Sequence, residues 1–399
     1  MKDINRMICF SSHNISNLEI PSVIKVLKSS YISNGPKIAE FEDALKAYTG
    51  AKYCVAVSNA TTALHLVMLG LGLKSGEQIL TSPITFAASA NCALFVGAVP
   101  RFVDINDRYL YMDVDRLKTF LKSPSNSKKI KIIVLVHFSG TVADVIEIQR
   151  ICENYGIYLV EDAAHALGSG YLAEKNWLKV GCSKHSNATI FSFHPVKNIT
   201  TGEGGAILTN DYNLYQKVIR LRNHGIIRNS QHNNLLLKHY ASEDWFYDIP
   251  EIGFNARITD IQCALGVDQL KRLPDFIDHR QKLVLKYKND LGNLNQVVLP
   301  NQREGSKGVY HIYPIRVSEK LRGKLFKYLK KNNILCQVHY IPVHLFSFYQ
   351  KNYGYKWGDF PVSEKYFKEC LSLPLHTKLS YIDQSKVIRT LIKFINNQS

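Results

Sequence analysis

Short apolar runs alternate along this chain with longer amphipathic stretches. The runs at 99–105, 130–136 and 157–160 are typical of buried strands, whereas the stretches near 114–121 and 144–155 carry apolar residues at helical spacing. Strands and helices that alternate in this way predict an α/β fold. We expect a large mixed, mostly parallel sheet that is covered by helices.

A second and smaller set of elements follows residue 253. The pattern predicts a helix from Thr259, strands at 309–317 and 335–338, a helix at 321–331 and a closing helix after Ser380. We therefore predict a large domain over residues 1–253 and a smaller C-terminal α/β domain over residues 254–399. This division allows residues 1–30 to pack on the smaller domain.

The composition is that of a globular protein, because 46% of the 399 residues are hydrophobic. No apolar stretch has the length of a membrane span, and charges within residues 1–10 interrupt any apolar core of a signal peptide. We therefore expect a cytoplasmic protein without a membrane partner. The eight cysteines are scattered and form no CxxC pair or Cys/His cluster, which indicates reduced thiols and no metal site.

The formal net charge of +17 raises the question of an anionic partner. Lysine and arginine are dispersed through the predicted helices, and no zinc-finger, RRM or basic-zipper pattern is present. Attraction of phosphorylated ligands explains the charge at least as well as nucleic acid does. We expect no nucleic-acid partner, and a basic DNA-binding regulator is the rival interpretation from another functional class.

The strongest chemical signal lies in residues 190–206, which read IFSFHPVKNITTGEGGA. An apolar, strand-like run leads into a turn rich in threonine and glycine, and this segment contains Lys197. Between Ala188 and Gly202 the only other ionisable side chain is His194. Burial among uncharged neighbours lowers the pKa of an ammonium group, so that a nucleophilic amine becomes accessible near neutral pH. A Schiff-base lysine needs this property, although an ordinary turn lysine is the alternative.

A second signal lies upstream, in the stretch GIYLVEDAAHALG at 156–168. Asp162 falls just after the predicted strand at 157–160, at the end of the strand where open α/β sheets bind ligands. Glu161 and Asp162 could instead cap the next helix. An aspartate and a lysine that follow different strands suit pyridoxal 5′-phosphate (PLP), because the carboxylate holds the pyridinium proton while the amine binds the aldehyde.

A third signal is the small polar turn at 58–62, which precedes an apolar helix. The free N–H groups at a helix N-terminus form an anion site that the hydroxyls of Thr61 and Thr62 can complete. Ordinary capping of the helix is the alternative reading of this turn.

The motifs DAAHA, FSFHPVKN and TTGEGGA together resemble the DegT/DnrJ/EryC1/StrS family of sugar aminotransferases, and the resemblance covers nearly the whole chain. It implies a PLP-dependent transferase of fold type I, similar to aspartate aminotransferase. It further implies that Lys197 is the catalytic residue and binds PLP, and that Asp162 keeps the ring nitrogen protonated. Some relatives are dehydratases with histidine in place of the lysine, so the presence of Lys197 favours transamination.

The resemblance implies further contacts to the cofactor. Ala60, Thr61, Thr62 and Ser192 match phosphate-binding positions, Phe86 matches an aromatic residue that stacks on the ring, His165 can contact the ring, and Asn255 matches a residue that reaches the phosphate in the neighbouring subunit. The last contact implies a homodimer with shared active sites. Each residue also has an ordinary alternative, such as a core aromatic for Phe86, a structural hydrogen bond for His165 and a turn residue for Asn255.

The stretches QVHYIPVH, GDFPVSEKYF and LSLPLH resemble one branch of this family more specifically. That branch uses L-glutamate to aminate C4 of a UDP-linked 4-keto-6-deoxy-N-acetyl-β-L-hexosamine in pseudaminic acid biosynthesis. His339 and Tyr340 follow a predicted strand and could contact the sugar or diphosphate, or could equally pack at an interface. Another nucleotide-linked keto sugar, aminated at C4 of a D-sugar or at C3, is the alternative acceptor.

Overall fold

The structure is a computed structural model that describes residues 7–228, 240 and 243–398. The twelve strands within these residues are β1 (Tyr53–Val57), β2 (Gln78–Thr81), β3 (Val99–Phe102), β4 (Ile130–Val136), β5 (Tyr158–Asp162), β6 (Gly170–Ala173), β7 (Asn176–Lys179), β8 (Ala188–Ser192), β9 (Gly205–Thr209), β10 (Ser306–Lys307), β11 (Tyr313–Arg316) and β12 (Cys370–Leu373). Parts of the expected functional loop at 222–257, namely 229–239 and 241–242, and the N-terminal residues 1–6 lie outside the described residues.

The same residues form fourteen α-helices. These are α1 (Ile20–Leu27), α2 (Pro36–Thr49), α3 (Ala60–Gly70), α4 (Ala88–Leu94), α5 (Val114–Leu121), α6 (Pro124–Ser127), α7 (Val145–Tyr155), α8 (Tyr212–Arg222), α9 (Asp260–Lys271), α10 (Leu273–Leu291), α11 (Glu319–Lys331), α12 (Ser347–Tyr353), α13 (Pro361–Glu369) and α14 (Tyr381–Asn396). None of the described helices is both long and apolar enough to cross a bilayer.

Seven strands form the large sheet, in the order β1-β9-β8-β5-β4-β2-β3. Only β9 runs antiparallel to its neighbours within this sheet, so the prediction of a mixed, mostly parallel sheet is confirmed. The inner strand β4 reads IKIIVLV and is buried at every position except Lys131, as expected for a parallel strand covered on both faces. Because β4, β5 and β8 are parallel neighbours, their carboxyl ends lie at one edge.

A buried carboxylate links these three strands. Glu161 in β5 accepts hydrogen bonds from His137 Nε2, which follows β4 (2.7 Å), from Thr189 Oγ1 in β8 (2.9 Å) and from Ser186 Oγ just before β8 (2.5 Å). The Ala143 N–H donates to Nδ1 of His137 at 3.1 Å, so the proton of this imidazole lies on Nε2 and points at Glu161. Neighbouring strands of the sheet are thus joined through side chains as well as through the backbone.

A two-stranded antiparallel sheet of β11 and β12 lies in the C-terminal part of the chain. Its apolar residues share a buried cluster with α11 and α14, and Ile8 near the N-terminus belongs to the same cluster. Ile8 also forms an isolated parallel bridge with Ile334. The domain boundary at residue 253 remains a prediction.

Two of the strand predictions in this region are wrong, one in existence and one in extent. Residues 335–338 form no strand and contribute one isolated bridge, from Gln337 to Ser372. The run at 309–317 is a strand only from Tyr313 to Arg316, because the N–H groups of Val309 and His311 bind the carbonyl groups of residues 140 and 139 instead. Tyr310 between them has a φ of 46°, which interrupts the extended backbone.

Candidate active site

Asp162 and Lys197 are positioned by adjacent parallel strands. Asp162 is the last residue of β5 and pairs with Ile190 of β8. The chain leaves β8 at Ser192 and turns through Lys197 before it returns as β9 at Gly205. The backbone N–H of Lys197 donates to the His194 carbonyl at 2.9 Å, which closes a tight turn. The sheet therefore brings the predicted carboxylate and amine to the same edge.

Lys197 is partly buried, and this burial changes the chemistry of its side chain. Desolvation lowers the pKa of its ammonium group to about 8, because a charged group loses favourable interactions with water. The negative charge of Asp162 acts in the opposite direction and raises the same pKa by a smaller amount. A substantial fraction of neutral amine is therefore present slightly above neutral pH.

Asp162 is buried and held in one orientation from both of its oxygen atoms. The Ser89 hydroxyl donates to Oδ2 at 2.5 Å, and the Ala164 N–H donates to Oδ1 at 3.1 Å. Ser89 in turn shares a hydrogen bond of 2.7 Å with Thr85. The carboxylate is thus fixed within the site by hydrogen bonds to both of its oxygen atoms.

The N-terminus of α3 opens on the same site. Asn59 caps the helix by accepting the Thr62 N–H at 2.8 Å, and the N–H groups of Ala60 and Thr61 donate to no acceptor within the described residues. The backbone of Gly205 passes so close that a Cβ atom there would lie 2.6 Å from the Ala60 nitrogen. Two free amide donors at a helix N-terminus form a site for an anion such as a phosphate group.

These groups line one cavity of about 360 Å³. Its lining includes most of the residues that the sequence predicted: Ala60, Thr61, Phe86, Asp162, His165, Ser192, Lys197, His339 and Tyr340. Phe86 has an exposed fraction of 62%, and its ring lies 6.3 Å from that of Tyr340, so its face is available to a ligand. The ring is therefore not the core aromatic considered as the alternative.

Two predicted residues do not line this cavity. The side chain of Thr62 turns to Ser58, with 3.3 Å between the two hydroxyl oxygens. Asn255 is exposed and pairs with Asn223 in an isolated bridge. The resemblance assigned Asn255 to the site of a neighbouring subunit, and this role remains a prediction.

Uncharged aromatic and imidazole groups surround the amine. Burial, followed by electrostatic repulsion from Lys197 and then from His339 in its protonated form, holds the pKa of His165 well below its ordinary value. Burial and then Lys197 lower the pKa of His339 to about 4. Burial and then Asp162 raise the pKa of the Tyr340 phenol. All three groups are neutral near neutral pH, which leaves Lys197 and Asp162 as the ionisable pair at the centre of the cavity.

Several residues of the site were not predicted from the sequence motifs. Ser89 holds Asp162, and the His311 ring packs 4.5 Å from that of His165. Glu203 and His194 also line the cavity and lie 3.9 Å apart at its exposed rim. Ser89 and His311 carry no motif signal, because tertiary contacts alone bring them there, but Glu203 belongs to the TTGEGGA motif and could have been named.

The residues present fit PLP. An amine with a lowered pKa can bind an aldehyde, a buried carboxylate can face a ring nitrogen, and the two free N–H groups of α3 can bind a phosphate. The exposed ring of Phe86 offers a surface for stacking. No group of His, Cys, Asp and Glu within the described residues is arranged to hold a metal ion.

Several known proteins are similar to this chain in sequence and fold. The UDP-4-amino-4,6-dideoxy-N-acetyl-beta-L-altrosamine transaminase of Campylobacter jejuni is 36% identical over 98% of both chains. The aminotransferase PseC of Helicobacter pylori, involved in the biosynthesis of pseudoaminic acid, superimposes with a TM-score of 0.88 and 28% identity, covering 98% of this chain and 100% of that chain. Other relatives have different names, such as the GDP-perosamine synthase of Caulobacter vibrioides, 31% identical over 98% of this chain and 99% of that protein.

The cofactor and family follow from these similarities. A putative sugar aminotransferase of Streptococcus pneumoniae, solved in its PLP form, superimposes with a TM-score of 0.88 and 29% identity, covering 98% of this chain and 99% of that chain. The family model described as the DegT/DnrJ/EryC1/StrS aminotransferase family matches residues 13–392. The chain therefore belongs to the DegT/DnrJ/EryC1/StrS aminotransferase family, and its cofactor is PLP.

Proposed function

We propose that this enzyme moves the amino group of L-glutamate to C4 of a UDP-linked 4-keto-6-deoxy-N-acetyl-β-L-hexosamine. The product is then UDP-4-amino-4,6-dideoxy-N-acetyl-β-L-altrosamine. The transaminase part rests on one observation, the Lys197 amine beside a buried carboxylate and a free helix N-terminus in the same cavity. The choice of sugar is supported by the Campylobacter jejuni relative, a UDP-4-amino-4,6-dideoxy-N-acetyl-beta-L-altrosamine transaminase that is 36% identical to this chain.

Lys197 is the proposed acid and base of the reaction. When bound, PLP supplies the aldehyde and the electron sink that amino transfer requires. The neutral Nζ atom of Lys197 accepts a proton, and the ammonium form then returns it. A pKa of about 8 suits both tasks, because neither protonation state is strongly disfavoured near neutral pH.

Asp162 is proposed to hold the proton of the ring nitrogen. Its two oxygen atoms are already oriented by Ser89 and Ala164, so little rearrangement is needed when the ring binds. The N–H groups of Ala60 and Thr61 are proposed to bind the phosphate, together with Ser192 and with Thr62 if its hydroxyl turns inward. PLP held by these contacts would have both Asp162 and Lys197 within the same cavity, the first to hold the ring proton and the second to bind the aldehyde.

The acceptor sugar is proposed to enter from the side of His339 and Tyr340. Both residues lie on the C-terminal segment that borders the cavity, and both are neutral near neutral pH. A neutral wall can accept and donate hydrogen bonds to sugar hydroxyls without a cost for desolvating a charge. L-Glutamate as donor and a dimer that shares its sites through Asn255 complete the proposal.

Assay of the purified enzyme with L-glutamate and candidate nucleotide sugars tests this function. We expect turnover of the UDP-linked β-L-4-keto sugar, release of 2-oxoglutarate, and a product whose C4 amine is identified by mass spectrometry and NMR. Lys197→Ala serves as the inactive control. A higher kcat/KM for a GDP-linked or D-configured keto sugar would contradict the proposed acceptor and leave the aminotransferase assignment intact.

A further inference from the structure

Tyr340 makes its hydrogen bond to His165, across the boundary between two parts of the fold. The Tyr340 hydroxyl oxygen lies 3.2 Å from Nε2 of His165. His165 belongs to the segment that follows β5 and Asp162, whereas Tyr340 belongs to the segment between α11 and α12. This contact joins a residue expected at the cofactor ring to one expected at the sugar.

Among the residues that the structure describes, Tyr340 alone forms a hydrogen bond with the His165 ring. The second ring nitrogen, Nδ1, is buried and has no hydrogen-bond partner within the described residues. The remaining neighbours hold the ring by packing alone: Phe138 at 6.3 Å and His311 at 4.5 Å between ring centroids. Because the imidazole can rotate and exchange its proton between two nitrogens, this hydrogen bond restrains its orientation, and a phenol that donates to Nε2 favours the tautomer with the proton on Nδ1.

Tyr340 itself is held firmly enough to serve as that anchor. Its ring packs edge-on against Phe138 at 6.1 Å and lies nearly parallel to His165 at 6.2 Å. The phenol stays protonated because burial raises its pKa, so it keeps an O–H group at neutral pH. The rigid aromatic ring therefore delivers the hydroxyl to Nε2 at low entropic cost.

We propose that Tyr340 is a positioning residue that acts through His165 in both halves of the transamination, including the half in which no sugar is present. This inference rests on the proposed function, because it takes His165 to contact the cofactor ring. A positioning role and a sugar-binding role for Tyr340 differ in the half-reactions that they affect. A residue that only contacts sugar matters in the second half-reaction alone, whereas an anchor of His165 matters in both.

Tyr340→Phe, which removes the hydroxyl and keeps the ring, tests the inference. We expect the half-reaction with L-glutamate alone, followed by absorbance in a single turnover, to slow by about three- to tenfold, the effect of one lost hydrogen bond. Tyr366→Phe is the matched control. Its hydroxyl binds the His339 carbonyl at 2.9 Å and its ring also packs on Phe138, but it makes no contact with His165. We expect no change in its glutamate half-reaction.

A second measurement does not depend on turnover. Nitrogen NMR of cofactor-free protein with labelled histidine, assigned by loss of the signal in His165→Gln, reports the tautomer of His165. We expect one tautomer in the wild type and a mixture in Tyr340→Phe. An unchanged tautomer together with a wild-type glutamate half-reaction in Tyr340→Phe would overturn the inference. Failure of the wild type itself to react with L-glutamate would instead refute the proposed function.

Discussion

Lys197 owes its proposed reactivity to the residues that surround it. The cavity removes water from the amine and lowers its pKa, while the Asp162 charge prevents the pKa from falling further. His165 and His339 add no charge that would shift the Lys197 pKa near neutral pH, because their own pKa values are lowered and they stay neutral. The balance between burial and a single carboxylate therefore sets the pH at which the amine becomes a nucleophile.

Replacement of that carboxylate tests the balance. In Asp162→Asn the raising effect on Lys197 disappears, so the pKa of the amine falls below about 8. We expect cofactor-free Asp162→Asn to capture added PLP with a pH midpoint lower than that of the wild type. The rate of the absorbance change after mixing, followed from neutral to alkaline pH, measures this midpoint.

Glu203→Gln is the control for this experiment. It also removes a carboxylate that lines the cavity, but Glu203 lies at the exposed rim and does not contribute to the Lys197 pKa. We expect the wild-type midpoint in this variant. An equal shift in both variants would mean that the general field of the cavity, and not Asp162, controls the amine.

Among the elements, the N-terminus of α3 depends on a glycine in another strand. The first residue of β9, Gly205, leaves no room for a side chain, since a Cβ atom there would meet the backbone of Asn59 and Ala60 at 2.6 Å. The start of β9 thus packs closely against the backbone at the two free N–H groups. The anion site belongs to the junction of the two elements and not to the helix alone.

Gly205→Ala is expected to displace that junction. Because the contact atoms are backbone atoms, α3 must shift as a unit, and the phosphate donors move with it. We expect the dissociation constant of PLP to rise by about tenfold or more, as the loss of one to two charge-assisted hydrogen bonds implies. Equilibrium titration of the cofactor-free protein measures it.

Gly202→Ala provides the comparison in the same motif. A Cβ atom at Gly202 meets nothing within 4 Å, although its φ of 81° makes the substitution strained. We expect this variant to lose thermal stability but to retain the affinity for PLP better than Gly205→Ala does. Equal loss of affinity in both variants would argue against the close contact as the cause.

The elements of the large sheet could largely be predicted from sequence, because a buried parallel strand is a continuous apolar run. The run at 130–136 coincides with β4, and the run at 157–160 differs from β5 by one or two residues at its ends. Apolar content indicates burial but does not indicate pairing, which explains the failure at 335–338. The hairpin of β6 and β7 was missed because Asn176–Lys179 is mostly exposed and has little apolar signal.

The sequence predicted those residues of the candidate site that lie within recognisable motifs. Lys197, Asp162 and the turn before α3 lie within short motifs that bind one cofactor, so residue types and spacing were informative. Ser89 and His311 come from segments without such a motif, and the irregular backbone at Tyr310 places His311 against His165. Such tertiary placement has no local signal, so it could not be predicted from one sequence.

At the scale of the whole molecule, the net positive charge is concentrated in the C-terminal part of the chain. Residues 319–398 contain 14 Lys and Arg but only 5 Asp and Glu, which accounts for +9 of the net charge of +17. We expect the electrostatic field of this positive charge to increase the association rate of a UDP-sugar. The kcat/KM for the sugar should then fall roughly two- to tenfold as ionic strength rises through the physiological range, while kcat stays constant. A parallel fall in kcat would point to loss of structure instead.

The proposed shared site makes a prediction for the dimer. Lys197→Ala and Asn255→Ala are each expected to lose most activity, but a mixed dimer contains one site with Lys197 from one chain and Asn255 from the other. Random mixing of two inactive dimers should therefore restore about a quarter of wild-type activity. Activity assays after joint refolding or co-expression measure this recovery. No recovery, or a fully active Asn255→Ala, would contradict a site shared through this residue.

The carboxylate that joins β4, β5 and β8 has a consequence for acid resistance. Burial raises the pKa of Glu161, but its bonds from His137, Ser186 and Thr189 outweigh burial and hold the pKa below the ordinary value of 4.5. The stabilisation it gives is complete above that value and disappears as the pH falls through the lower folded-state pKa. Since the same strands carry Asp162 and lead to Lys197, loss of this stabilisation should weaken the cofactor site together with the sheet, so the PLP absorbance and the far-UV circular dichroism are expected to change over the same acidic pH range.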